Sequence, residues 1–243
     1  MHYEVKRRIN KVDSNQNRNL LIPEIDLALN EAQMLFVKMV AEPRVSYHLG
    51  VETTQRNIDE LRTIIVHDDT RIIDNTDKVA ILPEDYLYFL RAYVTMSKEG
   101  CSGIKARVYI QRHNDLYEES VFTKSSFEWR IVNGVFVEKT YNNKLLGGIK
   151  LTELDNEGVT YSNLILSYIR RPKLIYYGSG FGVNGYKLPS GSYPNGVNTD
   201  QDCELPESTH NEIVDIAAMV ITGDLASPDY QYKMAKLRFN EFK

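Results

Sequence analysis

The chain has 243 residues, of which 42% are hydrophobic and 26% charged, and its formal net charge is −4. This composition is that of an ordinary soluble globular protein, and its mild acidity gives no overall attraction to nucleic acid. Two cysteines are too few for a disulfide framework or a thiolate zinc site, and no window approaches the roughly 18 apolar residues of a membrane span.

The first 22 residues are polar and show no regular apolar spacing. The stretch "KVDSNQNRNL" is rich in Asn, Asp and Ser, and such termini are usually ordered only when a partner holds them. We therefore predict an N-terminal arm over residues 1–22. Its basic residues Lys6, Arg7, Arg8 and Lys11 are expected to dock on an acidic neighbour.

A long amphipathic helix is predicted from Pro23, which suits an opening turn, to Pro43, which ends it. Glu24 and Asp26 favour the positive end of the helix dipole. Apolar residues recur at steps of three and four, as on one helix face; they are Ile25, Ala28, Leu29, Ala32, Leu35, Phe36, Met39 and Val40.

Two further helices are predicted before residue 99. The stretch "ETTQRNIDELRTIIV" has Thr53 or Thr54 as N-cap, and its apolar stripe consists of Ile58, Leu61 and Ile65. The segment "HDDTRIIDNTDKVAI" is predicted as a short strand or extended link. A third helix begins at "LPEDYLYFLRAYV", with Pro83 in its first turn, and runs through Met96. Its buried face is Tyr86, Phe89, Leu90, Tyr93 and Val94.

Residues 100–203 have a different pattern, with β-branched and aromatic runs of period two. These runs are "IKARVYIQR", "FEWRIVNGVFVEKTY", "GGIKLTEL" and "TYSNLILSYIRRPKLIYY". They predict four to six antiparallel strands in a small sandwich or barrel. Asn133-Gly134 between two apolar triplets predicts a type I′ hairpin turn.

A Gly-, Ser- and Asn-rich loop, 178–203, follows the strands and leads to a second Leu-Pro-Glu at Leu205. Thr209 and Glu212 stand in capping-box register for a helix there. Its stripe is Ile213, Val214, Ala217, Val220 and Ile221, and a last helix from Pro228 carries Tyr230, Met234 and Leu237.

The predicted fold class is therefore α+β. A helical bundle is formed by 23–99 and 204–243, because each apolar stripe needs an apolar partner. A β-sandwich or barrel, 100–203, is inserted between the two parts, and long arms flank the compact modules.

Motifs that resemble catalytic or binding sites lack the context that their chemistry requires. The glycines at 180–185 match G-x-G-x-x-G, but prolines follow where the dinucleotide motif needs a helix. His210-Asn211-Glu212 has the H-x-E of zinc deaminases without the downstream Pro-Cys-x-x-Cys. His113-Asn114-Asp115 is interpreted as a turn. His2, His48 and His67 have no partners at metal-ligand spacing.

Adjacent carboxylates and a second basic run also lack a specific function. Asp68-Asp69 and Glu118-Glu119 would point to opposite faces of an extended chain, so neither pair makes an acid–base dyad. Arg170-Arg171-Pro172-Lys173 is interpreted as a solvated strand end rather than a phosphate contact. We therefore predict no catalytic, cofactor-binding or metal-binding residue, and no enzyme.

Four stretches together resemble structural proteins of the phage neck. They are "IDLALNEAQMLFVKMV", "GVETTQRNIDELRTIIV", "LPEDYLYFLRAYV" and "ELPESTHNEIVDIAAMVIT". They are most similar to ring or collar proteins of crAss-like phages of gut Bacteroidetes, and more distantly to head-to-tail adaptor (tail tubular) proteins of short-tailed phages. The likeness covers more than a third of the chain and excludes the β module.

The resemblance implies a structural virion protein of the neck, assembled in the host cytoplasm. Such proteins form rings, usually twelvefold, beneath the portal and contact the portal and other ring proteins. They line the DNA passage without specific DNA binding, and they have no catalytic residues to carry over. The alternatives are a tail hub or fibre-attachment adaptor, a phage-encoded hydrolase, and a non-sequence-specific DNA-binding module.

Overall fold

The computed structural model describes residues 1–9, 20–41, 59–74, 76–98, 100–111, 125–141, 144–152, 158–182 and 185–224. The chain divides into two compact units. One, here called the helical unit, comprises Met1–Ile64 with Pro172–Lys243, and the other, the barrel unit, comprises Ile65–Arg171.

The helical unit joins segments from both ends of the chain. Its helices are α1 (His2–Ile9), α2 (Ile22–Ala41), the one-turn α3 (Gly178–Phe181) and α4 (His210–Asp224). Helices α1 and α2 both pack on α4. The fully buried side chains at their centre include Val5, Ile25, Leu29, Phe36, Ile213 and Ile216.

The prediction of a long amphipathic helix after residue 22 is confirmed by α2. The predicted positions Ile25, Ala28 and Leu29 are buried, so the three- and four-residue spacing identifies the packed face correctly. The helix starts with half of a capping box, because the Leu21 N–H donates to Glu24 Oε2 at 3.0 Å. Met39, predicted on the same stripe, is 38% exposed.

The N-terminal segment differs from the predicted arm, because His2–Ile9 is a helix packed on its own chain. Val5 and Ile9 are buried, and Arg8 binds Asp215 of α4 at 2.8 Å. The basic run thus does find an acidic partner, but within the same chain. Lys11 and the rest of the predicted arm up to residue 19 lie outside the described residues.

The barrel unit is a closed barrel of seven strands, in the order β1-β2-β6-β5-β4-β3-β7. The strands are β1 (Ile65–Asp74), β2 (Val79–Ile81), β3 (Tyr86–Lys98), β4 (Cys101–Ile110), β5 (Ile131–Tyr141), β6 (Lys144–Leu151) and β7 (Thr160–Arg170). Only β4 and β5 pair in parallel; the other pairs are antiparallel. The first residue of β1, Ile65, lies opposite Ile169 near the end of β7.

Alternate residues of each strand fill the interior of the barrel. Val94, Met96, Ile149, Leu164 and Leu166 are fully buried there, as the period of two requires. Near this core lies a cluster of aromatic side chains, in which Tyr86 and Phe89 both contact Phe136. Burial raises the pKa of Tyr86 to about 12.

The predicted fold class is wrong. The strands form one closed seven-stranded barrel within residues 65–171, whereas the prediction was a helical bundle over 23–99 and 204–243 with an antiparallel sandwich or barrel inserted at 100–203. The error arises from residues 65–98, assigned to the bundle. The segment "HDDTRIIDNTDKVAI", predicted as a short strand or extended link, does form most of β1 and β2, but both strands belong to the barrel, and the predicted third helix is β3. The unit boundaries consequently fall at 64/65 and 171/172, whereas the predicted ones fall at 99/100 and 203/204.

The third predicted helix, from Pro83 to Met96, is instead strand β3. Leu-Pro-Glu forms a turn, closed by the Tyr86 N–H donating to the Pro83 carbonyl at 3.1 Å. After it, Ala92, Val94 and Met96 alternate into the core. The apolar residues of this stretch fit both the three- and four-residue spacing of a helix and the alternation of a strand. Its Tyr, Phe and Val residues favour the strand.

The hairpin turn predicted at Asn133-Gly134 is also wrong, because both residues lie inside β5. Asn133 is buried, and its N–H donates to Ser125 Oγ at 3.0 Å. A Cβ on Gly134 would lie 3.1 Å from side-chain atoms of Ile149 and Val108. Glycine here allows close packing inside the barrel and does not serve a turn.

The second Leu-Pro-Glu does precede a helix, because residues 207–209 form a 3₁₀ turn that leads into α4. The Thr209 hydroxyl donates to the Pro206 carbonyl at 2.8 Å. Other predicted positions lie outside the described residues, namely Thr53, Thr54, Ile58 and the helix from Pro228. The chain is helical at 59–61, forms a 3₁₀ turn at Arg62–Ile64 and enters β1 at Ile65.

Candidate functional site: a basic groove on the barrel

A groove of about 670 Å³ runs across the outer surface of the barrel unit. We call it the basic groove. It is lined by Asp68, Thr70, Arg91, Tyr93, Lys105, Arg107, Arg130 and Ile165. Four of these eight residues are cationic and one is anionic, so the groove attracts anions.

Strand alternation directs these side chains outward. In β3, Ala92 and Val94 are buried in the core. Because successive residues of a strand point to opposite faces, Arg91 and Tyr93 point outward. In β4, Ala106 is buried, and Lys105 and Arg107 face outward for the same reason.

Strand register brings the outward residues together across the sheet. Tyr93 of β3 pairs with Arg107 of β4 on one side and with Ile165 of β7 on the other. Ile165 pairs in turn with Thr70 of β1. One row thus crosses four strands and forms the floor of the groove.

At one end, the buried Ser167 orients Arg91. Its hydroxyl oxygen accepts from Arg91 Nε at 3.2 Å and from the Asp68 N–H at 3.3 Å. Asp68 has a φ of 54° at an irregularity in the β1–β7 register. Its carboxylate lies 3.7 Å from the Arg91 guanidinium, a long and exposed pair of little energetic weight.

At the other end, Arg107 and Arg130 are linked through the backbone. The Arg107 N–H donates to the Arg130 carbonyl at 2.9 Å, and Arg130 has a φ of 54° at the end of the turn before β5. The Arg107 guanidinium lies 5.0 Å from the centre of the Tyr109 ring, a cation–π contact. Within the described ranges, no salt bridge involves Lys105, Arg107 or Arg130.

A second polar cluster, in the helical unit, serves a structural role. Asp26 is 1% exposed, and its carboxylate lies 2.6 Å from His2 Nε2. The carboxylate also accepts hydrogen bonds from the Tyr177 N–H at 2.9 Å and from the Tyr186 hydroxyl at 2.6 Å. Burial, and then the bond to Asp26, raise the pKa of Tyr186. The cluster joins α1, α2 and the glycine-rich loop.

The glycine-rich loop folds on its own unit. The Tyr176 side chain is buried, and its hydroxyl donates to Asn198 Oδ1 at 3.0 Å. Gly185 has a φ of 58° and so little room that an added Cβ would lie 2.1 Å from that hydroxyl. In the described part of the G-x-G-x-x-G match, a one-turn helix at Gly178–Phe181 precedes Gly182, and residues 185–188 have no regular secondary structure, so no helix there holds a pyrophosphate.

The other predicted positions are dispersed. His210 begins α4, and its Nε2 lies 2.9 Å from the Leu205 carbonyl. Asp69 binds Arg71, and Lys173 binds Glu204 at 3.5 Å. His48, His113-Asn114-Asp115 and Glu118-Glu119 lie outside the described residues. Among the residues that are described, no group of three or more His, Cys, Asp or Glu side chains is placed to hold a metal ion.

Sequence reasoning missed the basic groove, because its cations come from β3, β4 and the turn before β5. A local indication exists in Lys105-Ala106-Arg107, where a strand places both cations on one face. Arg91 was missed because a helix is predicted over β3, and Arg130 was missed because a hairpin turn is predicted at the nearby Asn133-Gly134.

Comparison with known proteins gives no match, either to a family model or to a curated protein. Among the helices of the described residues, none is both long and apolar enough to cross a membrane.

Proposed function

We propose that this protein is a structural component of a phage neck, where it forms an oligomeric ring connecting the portal and head to the tail. Its partners are copies of itself, with twelvefold symmetry implied by the resemblance, the portal protein and the other neck and tail ring proteins. The protein acts by assembly in the virion and catalyses no reaction.

The observation that carries the proposal is the packing of α2 on α4. Two of the four stretches that resemble neck proteins form these helices, although they come from opposite parts of the chain. These two stretches therefore belong to one compact unit. The remaining two stretches fall largely in β3 and in residues outside the described ranges, and they add no structural support.

Exposed apolar side chains on the helical unit provide contact points for neighbours. Leu27 in α2 is 71% exposed and Tyr3 in α1 is 74% exposed. A ring is closed by a heterologous interface, in which one face of each subunit complements a different face of the next. Large apolar side chains near the centre of such an interface supply much of its binding free energy.

Mass photometry of the purified full chain, alone and mixed with the portal protein of the same phage, tests the proposal. We expect a discrete ring-sized species on its own or on the portal. A chain that stays monomeric with the portal and with the neighbouring neck proteins contradicts it. Binding to fibre proteins but not to the portal would replace it with the fibre-attachment alternative.

Two matched substitutions locate the contact. Leu27→Arg and Ile72→Arg each place a cation at an exposed apolar position, 71% and 82% exposed, in the helical and barrel units respectively. We expect Leu27→Arg to reduce the ring-sized species more than Ile72→Arg does. The reverse order would assign the subunit contact to the barrel.

A further inference from the structure

The basic groove concentrates positive charge on a chain that is acidic overall. Arg91, Lys105, Arg107 and Arg130 share it with one carboxylate, Asp68, while the net charge of the chain is −4. Cations held on one surface repel each other and disfavour the folded state unless an anion neutralises them. The groove therefore has the electrostatics of an anion-binding site.

The cations are exposed and available to a ligand. Lys105, Arg107 and Arg130 are solvent-exposed, and none of them forms a salt bridge with another residue of the described ranges. Arg91 contacts Asp68 only at 3.7 Å. Among the described residues, an incoming anion therefore meets no strong internal ion pair that it would have to break.

The groove is also positioned by rigid elements. Arg91 is held by Ser167, and the backbone of Arg107 is bonded to that of Arg130. Between the cations lie the half-buried Tyr93 and Ile165, so the middle of the floor is aromatic and apolar. Tyr109, 43% exposed, presents a second ring beside Arg107.

We infer that the basic groove binds the phosphate groups of a single-stranded nucleic acid. Three of its four cations are arginines, whose planar guanidinium groups bind phosphate oxygens through paired hydrogen bonds. Proteins that bind single strands combine such a cationic groove with aromatic rings on which bases stack. A run of acidic side chains alone would use the cations but would leave Tyr93 and Ile165 without a matching group.

The inferred contacts involve charge and stacking rather than base edges, so binding is expected to be independent of sequence. This inference goes beyond the ring proposal and does not rest on it, because the whole groove lies within one chain. The binding measurement needs no portal protein, so the two proposals fail or succeed separately.

Fluorescence anisotropy of a labelled oligothymidylate, titrated with the full chain at several salt concentrations, tests the inference. The test variant combines Lys105→Gln, Arg107→Gln and Arg130→Gln. We expect it to weaken binding by at least about tenfold. The salt dependence should also fall, because each lost phosphate contact removes about 0.7 from the slope of log K against log salt for a single strand. No binding by the wild type at low salt would overturn the inference.

The matched control combines Arg7→Gln, Arg62→Gln and Lys144→Gln. It removes the same number and kinds of cations from side chains that are 57%, 65% and 71% exposed and lie outside the groove. If this control weakens binding as much as the test variant, the effect is one of total charge and the groove has no special role. Circular dichroism establishes that both variants are folded.

Arg107→Lys separates geometry from charge. It retains the cation but loses the paired hydrogen bonds of guanidinium, so we expect affinity between that of the wild type and Arg107→Gln. Affinity equal to the wild type would contradict paired bonding at this position.

Competition experiments identify which class of anionic ligand the basic groove binds. Displacement of the oligonucleotide by pyrophosphate at equal phosphate concentration would retain phosphate chemistry but replace the nucleic acid by a small phosphate ligand. Displacement by polyglutamate at equal charge concentration would overturn the inference in favour of an acidic protein partner. We expect both competitors to be weaker than unlabelled oligothymidylate.

Discussion

The Asp26 carboxylate accepts a hydrogen bond from the Tyr186 hydroxyl at 2.6 Å, across 160 positions of sequence. The same carboxylate binds the Tyr177 N–H and lies 2.6 Å from His2 Nε2. Because Asp26 is 1% exposed, these partners replace the water that a charged group would otherwise require. One side chain therefore holds α1 and the glycine-rich loop on α2.

Substitution of Asp26 should destabilise the helical unit. Asp26→Ala leaves the Tyr186 hydroxyl and the Tyr177 N–H without their acceptor, at a cost of about 1–3 kcal/mol for each group that is left buried and unsatisfied. We expect the free energy of unfolding to fall by about 3 kcal/mol, measured by urea denaturation followed by circular dichroism. Glu31→Ala, at an exposed position of the same helix, serves as control and should change it by less than about 0.5 kcal/mol.

The contact between Arg8 of α1 and helix α4 should contribute to the free energy of unfolding. Arg8 Nη1 lies 2.8 Å from Asp215 and donates to the Asn211 carbonyl at 2.7 Å. Arg8→Ala should lower the free energy of unfolding by about 1–2 kcal/mol. Arg7→Ala removes only an exposed pair with Glu4 and should cost less than about 0.5 kcal/mol. Equal effects would mean that the Arg8 contact contributes no more to stability than an exposed ion pair.

A methyl group at position 134 should destabilise the barrel. In Gly134→Ala the new methyl group would lie 3.1 Å from both Ile149 and Val108, and overpacking of this kind costs about 1–3 kcal/mol. Gly147→Ala, in the neighbouring strand, meets only Leu82 at 3.4 Å and should have little effect. Thermal unfolding of both variants compares them directly, and a stable Gly134→Ala protein would show that the barrel interior can adjust.

A three-residue ion cluster should give the barrel a defined pH dependence. Lys139 Nζ lies 2.7 Å from Asp74 and 2.9 Å from Asp77. The bond to Lys139 lowers the pKa of Asp74 from its ordinary 3.8, and the bonds to Asp74 and Asp77 raise the pKa of Lys139 from 10.5. The stabilisation from Asp74 is therefore lost as pH falls below about 4, and that from Lys139 as pH rises above about 10.

Lys139→Met tests this window. We expect its melting temperature to fall below that of the wild type between about pH 4 and pH 10, with the difference shrinking toward both extremes. Lys144→Met is the control, because Lys144 and Glu84 are 71% and 75% exposed and 3.5 Å apart. A difference between Lys139→Met and the wild type that is independent of pH would point to lost packing instead of lost charge.

The two Leu-Pro-Glu stretches show what local sequence can decide. After Leu205 the chain continues as α4, and after Leu82 it continues as β3. Both runs have apolar residues at helical spacing, but only β3 has neighbours, β4 and β7, that supply hydrogen-bond partners along its length. Tertiary pairing therefore overrides the local pattern, and a single sequence does not reveal that pairing.

Where one element buries one continuous face, the prediction succeeds. The stripe of α2 identifies Ile25, Ala28 and Leu29 as core residues, and the β-branched runs after residue 100 correspond to β4, β5, β6 and β7. The basic groove was not predictable in this way, because Arg91 and Arg130 come to line one groove only through the pairing of β3 with β4 and of β4 with β5.

The pairing of Ile65 with Ile169 has a consequence for the evolution and engineering of this chain. Cross-strand partners lie about 5 Å apart, so the polypeptide leaves the barrel close to where it enters. The two parts of the helical unit, which end at Ile64 and resume at Pro172, are therefore joined across a short distance. The inserted barrel consequently adds little to the entropy cost of bringing those two parts together. We therefore expect that the two ends of residues 65–171 can be joined by a short linker and the chain reopened at another turn.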